Sequence, residues 1–285
     1  MNPALPFRFR LAPIVGALVL ALPLSLAAQS ANEYLTQGMD RFRQGDYDGA
    51  IAAYTKALAL DANSVAAYND RGLARSRQSN FVGALADFDQ AIKLKPGFAE
   101  AYFNRGTAEF LEGNFDGAIA SNTRVIALRP DHQGACYHRA LAKDCQGNFE
   151  GANDDYDKAR QLKAGSDTAV AYYLLLHSSV VTQRIGHAKD DRLKGAADWK
   201  DEWAQALAQF LDGGLTENVL LTRASVANDQ ALVAGQHGDA LYFAGIKRLL
   251  AGDKAAARAD FRKCVDATSP AEIVHRMAET ELDRH

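Results

Sequence analysis

The chain has 285 residues, 48% of them hydrophobic and 24% charged, with a formal net charge of −3. That balance is ordinary for one large domain or a repeat array. It lacks the basic excess that a nucleic-acid-binding face requires.

Residues 1–28 read as a secretory signal. Arg8 and Arg10 form the positive region, "LAPIVGALVLALPLSLAA" is an apolar run ending in small residues, and a polar "QSANE" follows. Cleavage is expected after Ala28, with Ala27 and Ser30 as alternatives. The competing reading is an uncleaved anchor, because 18 apolar residues almost span a bilayer. Without this segment 30 basic residues face 35 acidic ones, a net charge of −5. No cysteine follows the run, so nothing there can carry a lipid. The implied location is the bacterial periplasm or the exterior, where disulfides are permitted. Cys136 and Cys145 lie nine residues apart on one expected helix. That puts them on roughly opposite faces and about 13 Å apart along the axis, beyond the ~7 Å a disulfide tolerates. Cys264 takes a small core position, and all three cysteines read as packing residues.

The next signal is repetition. "GDYDGAIAAYTKALAL" at 45–60 is echoed by "SNFVGALADFDQAIKL" at 79–94, "GNFDGAIASNTRVIAL" at 113–128 and "GNFEGANDDYDKARQL" at 147–162, a period of 34 residues. Units are therefore drawn at 31–64, 65–98, 99–132 and 133–166. Position 4 holds Tyr34, Tyr68, Tyr102 and Cys136, and position 8 holds Gly38, Gly72, Gly106 and Ala140. Position 20 is alanine throughout: Ala50, Ala84, Ala118 and Ala152. Position 24 holds Tyr54, Phe88, Asn122 and Tyr156, and Pro96 and Pro130 take position 32 in the middle units. Small residues at 8 and 20 let two helices approach, and aromatics at 4 and 24 fill the space between them. The Gly-Asp or Gly-Asn pair at 15–16 supplies a turn and an N-cap, and proline ends the second helix.

These residues resemble the tetratricopeptide repeat, a helix–turn–helix of this length. The resemblance implies an all-α, TPR-type α-solenoid. A fifth unit is expected at 238–268, where "ALYFAGIKRLLAGDKAAARADFRKCV" puts Gly245, Ala257 and Phe261 at positions 8, 20 and 24. "PAEIVHRMAETEL", within 270–285, is expected to be a capping helix, as solenoid ends require a cover. Residues 167–237 break the period and are read as degenerate helical hairpins. They comprise a long buried helix at "DTAVAYYLLLHSSVVTQRIG", one from near Asp198 to Gly213 with Trp199, Trp203, Leu207 and Phe210 on one stripe, and a third capped by Thr216. The tryptophans are read as core. Trp203, "QFLDGGLT" and "HRMAETEL" are also similar to the C-terminal part of the NlpI family of periplasmic TPR lipoproteins. That likeness implies a cell-envelope adaptor.

Two internal details carry expectations. Arg71 and Arg139 at position 7 coincide with Asp87 and Asp155 at position 23, which suggests ion pairs between the two helices of a unit. Gly49, Gly83, Gly117 and Gly151 at position 19 suggest close backbone contact or recent duplication.

No catalytic constellation is present: no HExxH, GxSxG, CxxC, P-loop or GxGxxG. No two histidines stand four residues apart, so no helix offers an obvious metal pair. No catalytic residue, cofactor or metal is expected. By resemblance to the family, positions 2, 5, 6, 9, 12 and 13 of each first helix line a concave groove for a protein or peptide. These are Leu35, Met39, Phe42, Asn69, Leu73, Phe103, Thr107, Phe110, Tyr137, Leu141 and Asp144. The competing reading is that part of this stripe packs against the chain's own C-terminal helices. The reading is therefore a non-catalytic exported scaffold without stable membrane insertion after cleavage. Its alternatives are an enzyme with a site in 167–237, favoured by a pocket gathering His177, His187 and carboxylates, or a self-associating protein, a homodimer included.

Overall fold

The structure is a computed structural model that describes residues 21–162, 169–186, 193, 196–198, 200–226 and 230–285. Residues 1–20 of the expected signal, Trp199 and His187 lie outside them. Fourteen α-helices and no strand occur among the described residues. The chain opens with antiparallel pairs: α1 (Ala21–Arg43) with α2 (Tyr47–Leu60), α3 (Val65–Arg77) with α4 (Phe81–Leu94), α5 (Ala99–Glu112) with α6 (Phe115–Leu128), and α7 (Gln133–Cys145) with α8 (Phe149–Gln161). Each pair packs on the next, and α9 (Ala169–Arg184) packs on α8. Then come α10 (Glu202–Asp212), α11 (Glu217–Ala224), α12 (Gln230–Leu250), α13 (Lys254–Ala267) and α14 (Ile273–Arg284).

Local chemistry sets the boundaries. Asp46, Asn80, Asn114 and Asn148 each accept the backbone N–H three residues on, satisfying an orphan donor of α2, α4, α6 and α8. The residue before each cap is left-handed. It is glycine in three units, but Ser79 in the second, at φ 59°. The four position-19 glycines have a cause within their own hairpin. A Cβ on Gly83 or Gly151 would sit 2.9 or 2.8 Å from the Oδ1 of its own cap. The position-11 side chain also crosses this turn: Arg75 donates to the Gly83 carbonyl and Lys143 to that of Gly151.

Packing within a unit follows the small-against-aromatic pattern. A Cβ on Gly72 would lie 2.6 Å from the Phe88 ring, and on Gly245 2.5 Å from the Phe261 ring. Tyr54, Phe88, Tyr156 and Phe261 are accordingly buried. In the third unit Asn122 takes that place. Its amide donates to Ala118, while its Oδ1 is buried without a partner among the described residues.

Arg71 and Arg139 make forked bonds to Asp87 (3.0 and 2.7 Å) and Asp155 (2.8 and 2.5 Å). Arg75 and Lys143 reach the same carboxylates. These acids are buried, unlike the exposed pairs that contribute little. The third unit keeps the arrangement by another route: Ser121 at position 23 donates to Glu109 at 2.6 Å, and Arg105 donates to Ser121. In the last helical pair Arg248, at position 11, pairs with Asp260.

The C-terminal part departs from a simple continuation. The helix expected from Asp198 begins at Glu202, because Asp201 accepts the Trp203 and Ala204 amides while Ala196–Asp198 forms a 3-10 turn. Thr216 holds the N-cap position of α11 but makes no side-chain cap bond. α12 starts eight residues ahead of 238. α14 does more than cover the end of the stack. It packs on α13 and α12 and crosses to α5 and α7. Arg276 donates to the Leu111 carbonyl, and Arg284 donates to those of Asp144 and Cys145. These carbonyls belong to the last turns of α5 and α7, where a cation also complements the helix dipole; that of Asp144 also accepts the Gly147 amide. Cys136, Cys145 and Cys264 are free and buried. No helix of the described residues is long and apolar enough to cross a membrane.

Candidate binding site

The first helices of the four units (α1, α3, α5 and α7) contact one another in order and together make the face expected to be the inner one. The expected groove residues divide there into two sets. Leu35, Phe42, Leu73, Phe103 and Thr107 are part-exposed, and Met39 is exposed at 38%. Met39, Phe42, Tyr54 and Leu73 line a shallow apolar hollow of about 140 Å³, rimmed by Arg43 and Asp70. Asn69 is buried and engaged, accepting from Asn104 at 2.9 Å and donating to Asp70 at 3.1 Å.

The second set is not available to a partner. Phe110, Tyr137, Leu141 and Asp144 are buried, at 2%, 6%, 0% and 2% exposure. Phe110 packs on Phe115, Tyr137 stacks near Tyr156 and His177, and Asp144 accepts from Arg184 at 3.1 Å. Arg184 also holds Glu281 of α14 at 2.8 Å, and Arg284 pairs with Glu281 too. An open trough along all four units is thus corrected. The chain's own α9, α12 and α14 occupy its last portion, because the fourth unit offers apolar rings and a buried acid that need cover.

Between tail and inner face a cavity of about 630 Å³ remains. Thr107 and Leu111 of α5 and Tyr137 and His138 of α7 form one wall. Tyr173 and His177 of α9, Trp203 of α10, Asp239, Tyr242 and Phe243 of α12, and Met277 of α14 form the others. Asp239 accepts from the Tyr173 hydroxyl and, at 3.1 Å, from Trp203 Nε1. Burial pushes its carboxyl up to about 6, against which those two donors work. Burial pushes His138 down to about 4 and His177 to about 3, so both are neutral near pH 7. His177 Nδ1 has no hydrogen-bond partner among the described residues. Trp203 is therefore cavity wall as much as core. Among the described residues no group of three His, Cys, Asp or Glu could hold a metal ion.

Asp239, Tyr242 and Phe243 were within reach of sequence reasoning. They are positions 2, 5 and 6 of the unit that begins at 238, the same offsets that select the groove residues of the earlier units. Tyr173 had no such signal: it meets Asp239 across 66 residues of irregular chain.

Comparison with known proteins matches the family described as tetratricopeptide repeat over residues 35–97 and 69–133. No curated protein matches the chain. Among solved structures, a crystal structure of MamA protein is 24% identical and covers 65% of this chain and 95% of its own, with a TM-score of 0.52. A second crystal structure of MamA is 25% identical, covering 62% and 97%, at 0.50. MamA from residue 41 to its end, from Desulfovibrio magneticus RS-1, is 20% identical, covering 55% and 86%, at 0.50. Over residues 35–133 the chain matches the tetratricopeptide-repeat family, and its fold is an all-α TPR-type solenoid.

Proposed function

We propose that the protein is a non-catalytic scaffold that binds a protein or peptide partner on the open portion of its inner face. The carrying observation is the division of that face. The tail covers the ends of α5 and α7, while Leu35, Met39, Phe42, Leu73 and Phe103 keep apolar surface exposed. Apolar surface beside the mixed charges of Arg43 and Asp70 suits an amphipathic helix or an extended segment. The apolar run and small residues of 1–28 support export to the periplasm or the exterior. An envelope adaptor role of the NlpI type is part of the same proposal.

One observation favours an enzyme instead: His177 and Asp239 line a single cavity. Against it, both cavity imidazoles are such weak bases that a general-base role near pH 7 is poorly served. The test is quantitative capture from envelope extract by wild type and by Met39→Asp/Leu73→Asp. The double variant is expected to bind the partner about thirtyfold less tightly, as roughly 1 kcal/mol for each of two anchors implies. Equal recovery of every partner contradicts the reading.

A further inference from the structure

The cavity between tail and inner face is a built site that does not depend on the partner reading. Its walls are rich in aromatic rings: Tyr137, Tyr173, Trp203, Tyr242 and Phe243. One carboxylate is set among them. Asp239 is fixed by the Tyr173 hydroxyl and Trp203 Nε1, and both bonds land on Oδ2. Two more acids stand on the same wall. Asp201 caps α10, and Glu272 accepts from the Ser269 amide. Among the described lining residues the basic side chain is Arg77, which is exposed at the cavity's rim. No described lysine or arginine makes an ion pair with Asp239. His138 and His177 bring no charge, being neutral near pH 7.

An ionised carboxylate in an apolar cavity is costly unless it meets an opposite charge. Ring faces carry negative potential and attract cations, most of all weakly hydrated ones. Both features select against an anion and for an organic cation. The volume of about 630 Å³ lies within the ordinary range for small-ligand sites. We propose that this cavity binds an alkylammonium group, seated on the aromatic faces with Asp239 as its counter-ion. Two sources carry that group: a free small molecule, or the lysine side chain of a bound peptide.

The test is titration calorimetry on the full chain with three probes: choline, its neutral isostere 3,3-dimethyl-1-butanol, and N-acetyl-lysine methylamide. At least one of the two cations is expected to bind about tenfold or more tighter than the isostere. The stronger cation identifies the source. Asp239→Asn, shown by its melting curve to be folded, is expected to lose about tenfold in that affinity. Affinity of both cations no greater than that of the isostere overturns the proposal, even without a variant. So does unchanged affinity in Asp239→Asn, or no binding of either cation up to about 10 mM. Met39→Asp/Leu73→Asp is expected to keep cation binding while losing the partner, so failure at one surface is distinguishable from failure at the other.

Discussion

Arg184→Ala is expected to lower the unfolding free energy by about 3–5 kcal/mol, the cost of leaving buried charges without their partner. Arg184 sits between Asp144 of α7 and Glu281 of α14, and the three side chains are only 3–6% exposed. Glu281 keeps Arg284, but Asp144 has no second ion-pair partner among the described residues. Its carboxylate is then stranded at the end of α7, against the dipole of that helix. The guanidinium also lies over the Phe149 ring, 5.1 Å from its centre, so packing is lost with the charge. Urea unfolding followed by circular dichroism is the measurement, read as a lower midpoint at unchanged slope. The double variant Arg184→Ala/Asp144→Ala is expected to be less destabilised than the sum of the single variants, since each then removes a charge the other no longer needs. A loss below about 1 kcal/mol makes this network no stronger than an exposed pair and contradicts its assigned role.

The second large effect runs the other way. Asp239→Asn is expected to stabilise the protein at pH 7.5, by roughly 1–3 kcal/mol, because each unit of upward shift corresponds to ~1.4 kcal/mol. The carboxyl is raised in the folded state to about 6, from an ordinary value of 3.8. Protons therefore bind the folded state more tightly than the unfolded one. The associated stability is present below pH about 4 and is lost as pH rises through about 6. The groups facing Asp239 do not cancel this. Tyr173 and Trp203 donate neutral bonds, Asp201 and Glu272 add negative charge, and His177 and His138 stay neutral above pH about 5. The difference between variant and wild type should thus be near zero at pH 4 and reach its full value by pH 7. Thermal melts across that range measure it. A flat difference, or a variant destabilised at pH 7.5, shows that the Asp239 carboxylate is not held at a cost. A residue kept at a cost to stability is consistent with a ligand that relieves the cost.

Much of the fold can be read from local rules. The spacing of Gly72 and Phe88, of Asn80 and Gly83, and of Arg71 and Asp87 each specify contacts within one hairpin, where 16 residues or fewer separate the partners. Repetition then multiplies that information across units. The position-19 glycines show the limit of such reading. A repeated residue signals a shared constraint without naming it, and here the constraint is the hairpin's own cap and the side chain crossing it. The site was less legible because it depends on contacts that no period encodes. Arg276 reaches Leu111 across 165 residues, and Arg284 reaches Asp144 across 140. Those contacts decide which groove positions stay open. Leu141 and Asp144 occupy the same offsets as Leu73 and Ser76, yet the first pair is buried and the second is not.

The proposed binding on the inner face depends on the tail closing one end of it and leaving the other open. Cys145 is native, buried at 8% exposure, and its carbonyl is held by Arg284 of α14. Met39 lies on the open end. Maleimide labelling of the Met39→Cys protein, with mass mapping of each site, compares both ends in one molecule. The prediction is rapid modification of the thiol introduced at position 39 and protection of Cys145, with Cys145 becoming reactive when residues 273–285 are removed. Modification of Cys145 in the full chain as fast as at position 39 would show the trough uncovered and contradict the division of the face.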